Sequence, residues 1–144
     1  RKNIIAPVAG SEALGTALWY RDALALDAID YMHYDLGWIG GVSEAIKISG
    51  IAHANNRMMC PHDCTGPIVW IANLHISLAF SSSMILESVR SYYNGFYKKL
   101  VNNLPKIEKG FAFPMDGIGL GTELQDSLLK SPNTIIRKTS KNDL

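Results

Sequence analysis

The sequence predicts an α/β fold in which parallel strands are joined by crossover helices, as in a portion of a (β/α) barrel. Three observations predict it. Strand-like and helix-like patterns alternate three times between residues 3 and 80. This alternation implies parallel strands. The strand-like runs are apolar on both faces, as interior parallel strands are. Each of the three runs ends on a residue with acid–base chemistry: Glu12, Asp35 and His62. These are 23 and 27 residues apart, close to the ~31 residues of one unit of an eight-unit barrel.

The first strand is predicted over Asn3–Ala9 (NIIAPVA), ended by Gly10-Ser11-Glu12. Pro7 is compatible with a strand end but not with its centre. Leu14–Leu26 carries apolar residues near helical spacing, and Ala28–Tyr34 (AIDYMHY) is the next strand, followed by Asp35. Leu36–Val42 (LGWIGGV), with three glycines, is expected to be a loop. Ser43 suits an N-cap and Glu44 the positive end of a helix dipole, for a helix running to about Ala54. Its buried stripe is Ala45, Ile48, Ile51 and Ala52. Gly50 lowers helix stability by roughly 1 kcal/mol against Ala, so close packing is expected to require it.

Arg57–Cys60 is the third strand, and Pro61-His62-Asp63 leave it. Pro67 suits the first turn of a helix over Ile68–Phe80, which is apolar nearly all round and therefore expected to be buried. Met84–Glu87 reads as a short extended segment ending on a carboxylate. Beyond about Ser88 the rhythm breaks. An aromatic stretch, Tyr92–Val101, is compatible with a helix. Gly110–Pro114 suggests a short strand, Thr122–Lys130 a helix and Thr134–Lys138 a final strand.

Neighbouring strands lie about 4.8 Å apart, so side chains leaving two adjacent strand ends can hydrogen-bond. Asp35 against one nitrogen of His62 would fix the tautomer and stabilise the protonated ring. The other nitrogen would face a substrate as general base or acid. On the residues alone, a loop-capping Asp35 and a structurally satisfied His62 stand as the alternative. Glu12 is a single carboxylate at the same mouth. A hard cation such as Mg²⁺ takes several oxygen ligands, so this residue by itself is equally a strand-end salt bridge. Glu87 reads as a donor or acceptor near that mouth or as a solvated side chain. His33 is ambiguous, and His53 and His75 read as structural. The Gly117-Ile-Gly119-Leu-Gly121 run lacks the full phosphate-binding fingerprint and reads as a turn. Tyr92, Tyr93, Phe96 and Tyr97 read as core.

Composition narrows the function classes. With net charge +1, 47% hydrophobic and 19% charged residues, the chain has neither the basic stripe of a nucleic-acid binder nor an acidic tail. The Arg137, Lys138 and Lys141 cluster reads as a solvated tail. No apolar run reaches the ~18–20 residues of a membrane span, and no signal peptide is visible. Two cysteines spaced C-x3-C, Cys60 and Cys64, are too few for a disulfide framework, so reduced thiols in a cytoplasmic protein are expected. A Cys/His zinc site would need a second ligand pair at a usual spacing, and none follows. The chain enters almost directly into a strand pattern at Arg1, as expected of the C-terminal part of a larger protein.

The segments Ala9–Glu12 (AGSE), Asp35–Ala45 (DLGWIGGVSEA), Pro61–Pro67 (PHDCTGP) and Ile85–Ser88 (ILES) together resemble the enolase superfamily, mandelate racemase subgroup. Within it the chain is most similar to acid-sugar dehydratases. Gly119–Leu124 (GLGTEL) is similar to a late loop of the same family. The resemblance implies the C-terminal portion of a (β/α) TIM-type barrel. Residues 1–88 would be its last three βα units. Residues 89–144 would be a C-terminal segment packing on the barrel and a capping domain. It implies that Glu12 is a ligand of Mg²⁺, that Asp35 and His62 are the catalytic dyad, and that Glu87 contacts the substrate carboxylate. It implies removal of the proton α to a carboxylate, then loss of the β-hydroxyl, giving a 2-keto-3-deoxy acid. A racemase, epimerase or cycloisomerase of the same superfamily is the alternative, and a non-catalytic truncated product is the alternative of another class. The family's other metal ligands and its opposite-face base precede the sixth strand, so this stretch alone is expected to be inactive. The partners implied are a small sugar-acid substrate and further copies of the full-length protein, with no nucleic acid or membrane.

Overall fold

Parallel pairing of three strand ends sets the architecture. The computed structural model describes residues 1–138, 140 and 141. Strands β1 (Ala9–Gly10), β2 (Tyr31–Met32) and β3 (Met58–Met59) form a parallel sheet in the order β1-β2-β3. Ala9 lies opposite Tyr31, and Tyr31 opposite Met58. Backbone pairing continues past the ladder: His33 N donates to Gly10 O, Cys60 N to Met32 O, and His62 N to Tyr34 O. Residues 82–87 then run alongside β3. Met59 N donates to Ser82 O, Met84 N to Met59 O, and Glu87 N to Pro61 O, with a parallel bridge from Met59 to Ser83. The extended Met84–Glu87 segment thus lies beside β3, and four chain segments reach one edge side by side.

Crossover helices return the chain each time. Helix α1 (Ala17–Ala25) links β1 to β2. Helices α2 (Leu36–Ile39) and α3 (Val42–Ala54) link β2 to β3, and α4 (Pro67–Ala79) leads to the 82–87 segment. Helix α3 packs between α1 and α4. Tyr20, Met32, Tyr34, Ile39, Ile48 and Met59 are fully buried between the helices and the sheet. Glu44 works across this interface. Its carboxylate accepts the first helical N–H of α1, from Ala17, at 3.0 Å, a donor that would otherwise lack a partner.

Several sequence expectations are corrected. Only Ala9–Gly10 of the predicted Asn3–Ala9 strand is paired, and residues 1–7 are exposed. Pro7 has no N–H to give, and the Asp30 carboxylate takes Val8 N–H at 2.9 Å in place of a neighbouring strand. Residues 36–39 are a helical turn, not loop, because the Asp35 side chain caps it by accepting Gly37 N–H. Gly40 and Gly41, with φ of 104° and 85°, then let the chain stop and restart as α3. The N-cap of α3 is therefore Gly41, not Ser43. Gly50 faces solvent with nothing near an added Cβ, so no close packing requires it.

Beyond residue 88 the helical expectation splits. Helix α5 (Arg90–Asn94) ends at Gly95, and a 3-10 turn spans Phe96–Lys99. Tyr97 is buried with Trp70 and Ile71, whereas Phe96 is exposed, so the aromatic stretch is only partly core. A hairpin pairs β4 (Ile107–Glu108) with β5 (Phe111–Ala112) across Lys109 and Gly110, both at positive φ. The helix expected over Thr122–Lys130 shrinks to one turn, α6 (Asp126–Leu129), because residues 123–125 pair antiparallel with 100–102: Asn102 N donates to Glu123 O and Gln125 N to Leu100 O. Residues 134–138 pair with no strand among the described residues. Residues 139 and 142–144 of the predicted C-terminal segment lie outside the described residues. Among those described, no helix is long and apolar enough to cross a membrane.

Candidate active site

The carboxyl ends of the parallel segments place Asp35, His62 and Glu87 against one another. Asp35 follows β2 and is fully buried. A buried carboxylate must be compensated by donors, and Asp35 has three. His62 Nδ1 lies 2.9 Å from Oδ2, Gly37 N donates to Oδ1 at 2.8 Å, and Thr65 Oγ1 donates at 3.0 Å. Gly37 allows this approach, since a Cβ there would lie 3.1 Å from Asp35 Oδ1 and 3.3 Å from Thr65 Oγ1.

His62 follows β3, and its backbone is held from two sides. Its N–H donates to Tyr34 O at 2.8 Å, and its carbonyl accepts from Asn73 Nδ2 of α4 at 3.1 Å. The ring packs against Trp38 at 5.5 Å and edge-on to His33 at 5.0 Å. With Nδ1 facing Asp35, Nε2 is the nitrogen left to meet another group. Glu87 Oε2 is 3.8 Å from it.

Glu87 is half-exposed and held through both backbone and side chain. Its carbonyl accepts from Trp70 Nε1 at 3.0 Å, and its carboxylate accepts from Asp63 N at 2.9 Å and contacts His33 Nε2 at 3.2 Å. Glu12 stands apart from this group. It is half-exposed beyond β1 and connects through His33, whose Nδ1 lies 3.9 Å from its carboxylate. His33, ambiguous in the sequence, therefore sits between the two glutamates.

Asp63 was legible only as a residue leaving a strand. It is nonetheless the tie between the site and the C-terminal segment. Its buried carboxylate accepts Tyr97 O–H at 2.6 Å and Val89 N–H at 2.7 Å. Burial raises its pKa above the usual range, with Glu87 adding to the rise, against the opposing hydrogen bonds from Tyr97 and Val89. A folded carboxyl that holds its proton more tightly than the unfolded one stabilises most below the ordinary Asp value of about 3.9. That contribution declines as pH rises to the folded value. Asp63→Asn is expected to remove this downward slope. Urea midpoints from about pH 3 to 7 check it, and parallel curves for the two proteins would contradict the assignment.

The two cysteines are free. Burial pushes the Cys60 thiol up to about 11, so it stays protonated and inert. His75, on α4, has a buried ring nitrogen without a protein partner.

The comparisons bear on the family and the fold. The family model described as enolase C-terminal domain-like matches residues 1–128. An arabinonate dehydratase of Saccharolobus solfataricus is 30% identical over 124 residues, covering 86% of this chain and 33% of that protein. A D-galactonate dehydratase of Verminephrobacter eiseniae is 28% identical over 128 residues, covering 85% and 34%. Among solved structures, an enolase protein from environmental sequencing of the Sargasso Sea matches with TM-score 0.87 at 35% identity, over 98% of this chain and 37% of that one. A mandelate racemase subgroup enolase from Agrobacterium tumefaciens matches with TM-score 0.79 at 39% identity, over 87% and 33%. The chain spans about a third of the length of these relatives. With its parallel strand ends and a family match covering residues 1–128, the chain belongs to the enolase C-terminal domain-like family.

Proposed function

We propose that the chain forms the last βα units of a (β/α)-barrel dehydratase acting on a sugar acid, with residues 1–88 in the barrel and 89–144 packing on the barrel and a capping domain. The observation that carries the proposal is the contact between His62 Nδ1 and a buried, fully hydrogen-bonded Asp35. The names of the relatives, arabinonate and D-galactonate dehydratase, support the substrate class.

In this proposal Asp35 keeps the Nδ1–H tautomer of His62 and leaves the Nε2 lone pair facing the substrate. Nε2 takes the proton α to the carboxylate, and Asp35 stabilises the imidazolium that forms. His62 then returns this proton to the departing β-hydroxyl, which leaves as water. The enol that remains tautomerises to a 2-keto-3-deoxy acid. Glu87, held by Asp63 N–H and His33, orients the substrate. Glu12 is the half-exposed oxygen donor that fits a hard cation. One carboxylate does not complete a Mg²⁺ site, so the other ligands would lie outside the described residues. Mg²⁺, when bound, would offset the negative charge that builds on the substrate carboxylate. The proposal extends to a homo-oligomeric, cytoplasmic full-length protein.

The test uses the full-length protein that carries this chain, with Mg²⁺ and a panel of acid sugars. A 2-keto-3-deoxy product detected with a carbonyl reagent is the expected result. Exchange of the α-proton with deuterated solvent, without a keto product, would replace dehydration by racemisation or epimerisation. Neither signal from folded, metal-loaded protein across the panel would overturn the sugar-acid assignment.

A further inference from the structure

We propose that His33, His62 and Glu87 form a second metal site, selective for nitrogen-seeking cations of the Zn²⁺ class and distinct from the hard-cation role of Glu12. His33 Nε2 lies 3.2 Å from Glu87 Oε2, and His62 Nε2 lies 3.8 Å from the same oxygen. The three ligand atoms all fall within 4.8 Å of one another. Around a tetrahedral zinc with bonds of about 2.0–2.1 Å, ligand atoms sit roughly 3.4 Å apart, so the spacing needs only small side-chain adjustments. The two rings meet nearly perpendicular, at 75°, so they do not stack face to face.

The opposite nitrogens supply the second observation. His62 Nδ1 faces Asp35 at 2.9 Å, and His33 Nδ1 faces Glu12 at 3.9 Å. A metal-bound histidine commonly donates its other N–H to a carboxylate, which fixes the tautomer and raises the basicity of the ligating nitrogen. His62 has this arrangement through Asp35, and Glu12 stands on the far side of His33 at a distance that a small side-chain rotation would close to a hydrogen bond. All three side chains retain solvent access, so an ion can enter and a water can complete the tetrahedron. Two imidazoles and one carboxylate suit Zn²⁺, Co²⁺ or Ni²⁺ over Mg²⁺, which takes oxygen ligands. The neighbouring cluster of Asp35, His62 and Cys64 is a poorer candidate, because Asp35 is fully buried and its oxygens already accept from His62, Gly37 and Thr65.

An ion held here would occupy the His62 Nε2 lone pair that takes the substrate proton under the proposed function. Binding itself does not rest on that function, so the test reads binding and not turnover. The full-length protein is stripped with a chelator and titrated with Co²⁺ in the presence of excess Mg²⁺. Visible spectroscopy follows the ion, and Zn²⁺ calorimetry runs in parallel. The expected result is one equivalent with the intense visible bands of four-coordinate Co²⁺, reversed by Zn²⁺. His33→Gln, Glu87→Gln and His62→Asn, each with unchanged circular dichroism, should weaken binding by more than about tenfold, since loss of even an outer partner of a ligand has an effect of that size. Absence of the bands in the unmodified protein would overturn the proposal, as would undiminished binding in the folded variants. Absence of dehydratase activity on every acid sugar in the stripped, Mg²⁺-loaded protein before Co²⁺ is added, followed by the bands once it is, would sink the proposed function and leave the metal site standing.

Discussion

His62→Asn in the full-length protein is expected to lower turnover of the sugar acid by about 10²–10⁴-fold, the span a general acid–base group contributes. Asn keeps a polar side chain beside Asp35 but has no nitrogen of suitable basicity to take the α-proton. The loss should appear in kcat, with the substrate still bound, because Glu87 keeps its hold from Asp63 N–H and His33. Exchange of the α-proton with deuterated solvent should fall in parallel, since abstraction precedes elimination. Steady-state kinetics beside proton exchange by NMR check both. A variant that keeps more than a tenth of the activity would show that His62 is not the proton carrier. Exchange that survives while elimination is lost would confine His62 to the second step.

The largest expected loss of stability comes from Trp70→Ala, at about 3–5 kcal/mol, the usual cost of truncating a large buried aromatic. Trp70 is 1% exposed and packs edge-on to Tyr93 at 5.5 Å. It belongs to the cluster with Ile71 and Tyr97 that joins α4 to the C-terminal segment. Its indole N–H also donates to Glu87 O at 3.0 Å, so the same residue fixes the backbone of a site carboxylate. Trp70→Phe separates the two contributions. It retains most of the packing and gives up the hydrogen bond, for about 1 kcal/mol from that bond and a smaller packing loss. Urea midpoints at constant slope measure both variants. Equal costs for Ala and Phe would mean that the hydrogen bond, and not burial, dominates at this position.

The α/β character, the three crossover units and the strand-end positions of Glu12, Asp35 and His62 were legible because they depend on local periodicity and chain order. Parallel strands with apolar faces and helices of 9–13 residues leave a strong pattern. What failed to show were features set by partners distant in sequence. Residues 36–39 became helix because the Asp35 side chain caps them, while the glycines of that stretch argued for loop. The run Asn3–Pro7 stayed outside the sheet, since hydrophobicity states what a strand could bury but not whether a neighbour is present to pair with it.

The same division runs through the site. By itself, the sequence determined that an acid and an imidazole stand at adjacent strand ends, because the βα repeat length fixes where each strand stops. Only the tertiary structure decided that His33 lies between Glu12 and Glu87, that Thr65 and Gly37 complete the donors to Asp35, and that Asp63 ties the site to Tyr97, 34 residues away. The physical reason is that a hydrogen bond depends on distances of about 3 Å. Sequence spacing sets such distances within one helix or turn, but across strands they follow from how the whole sheet registers and packs.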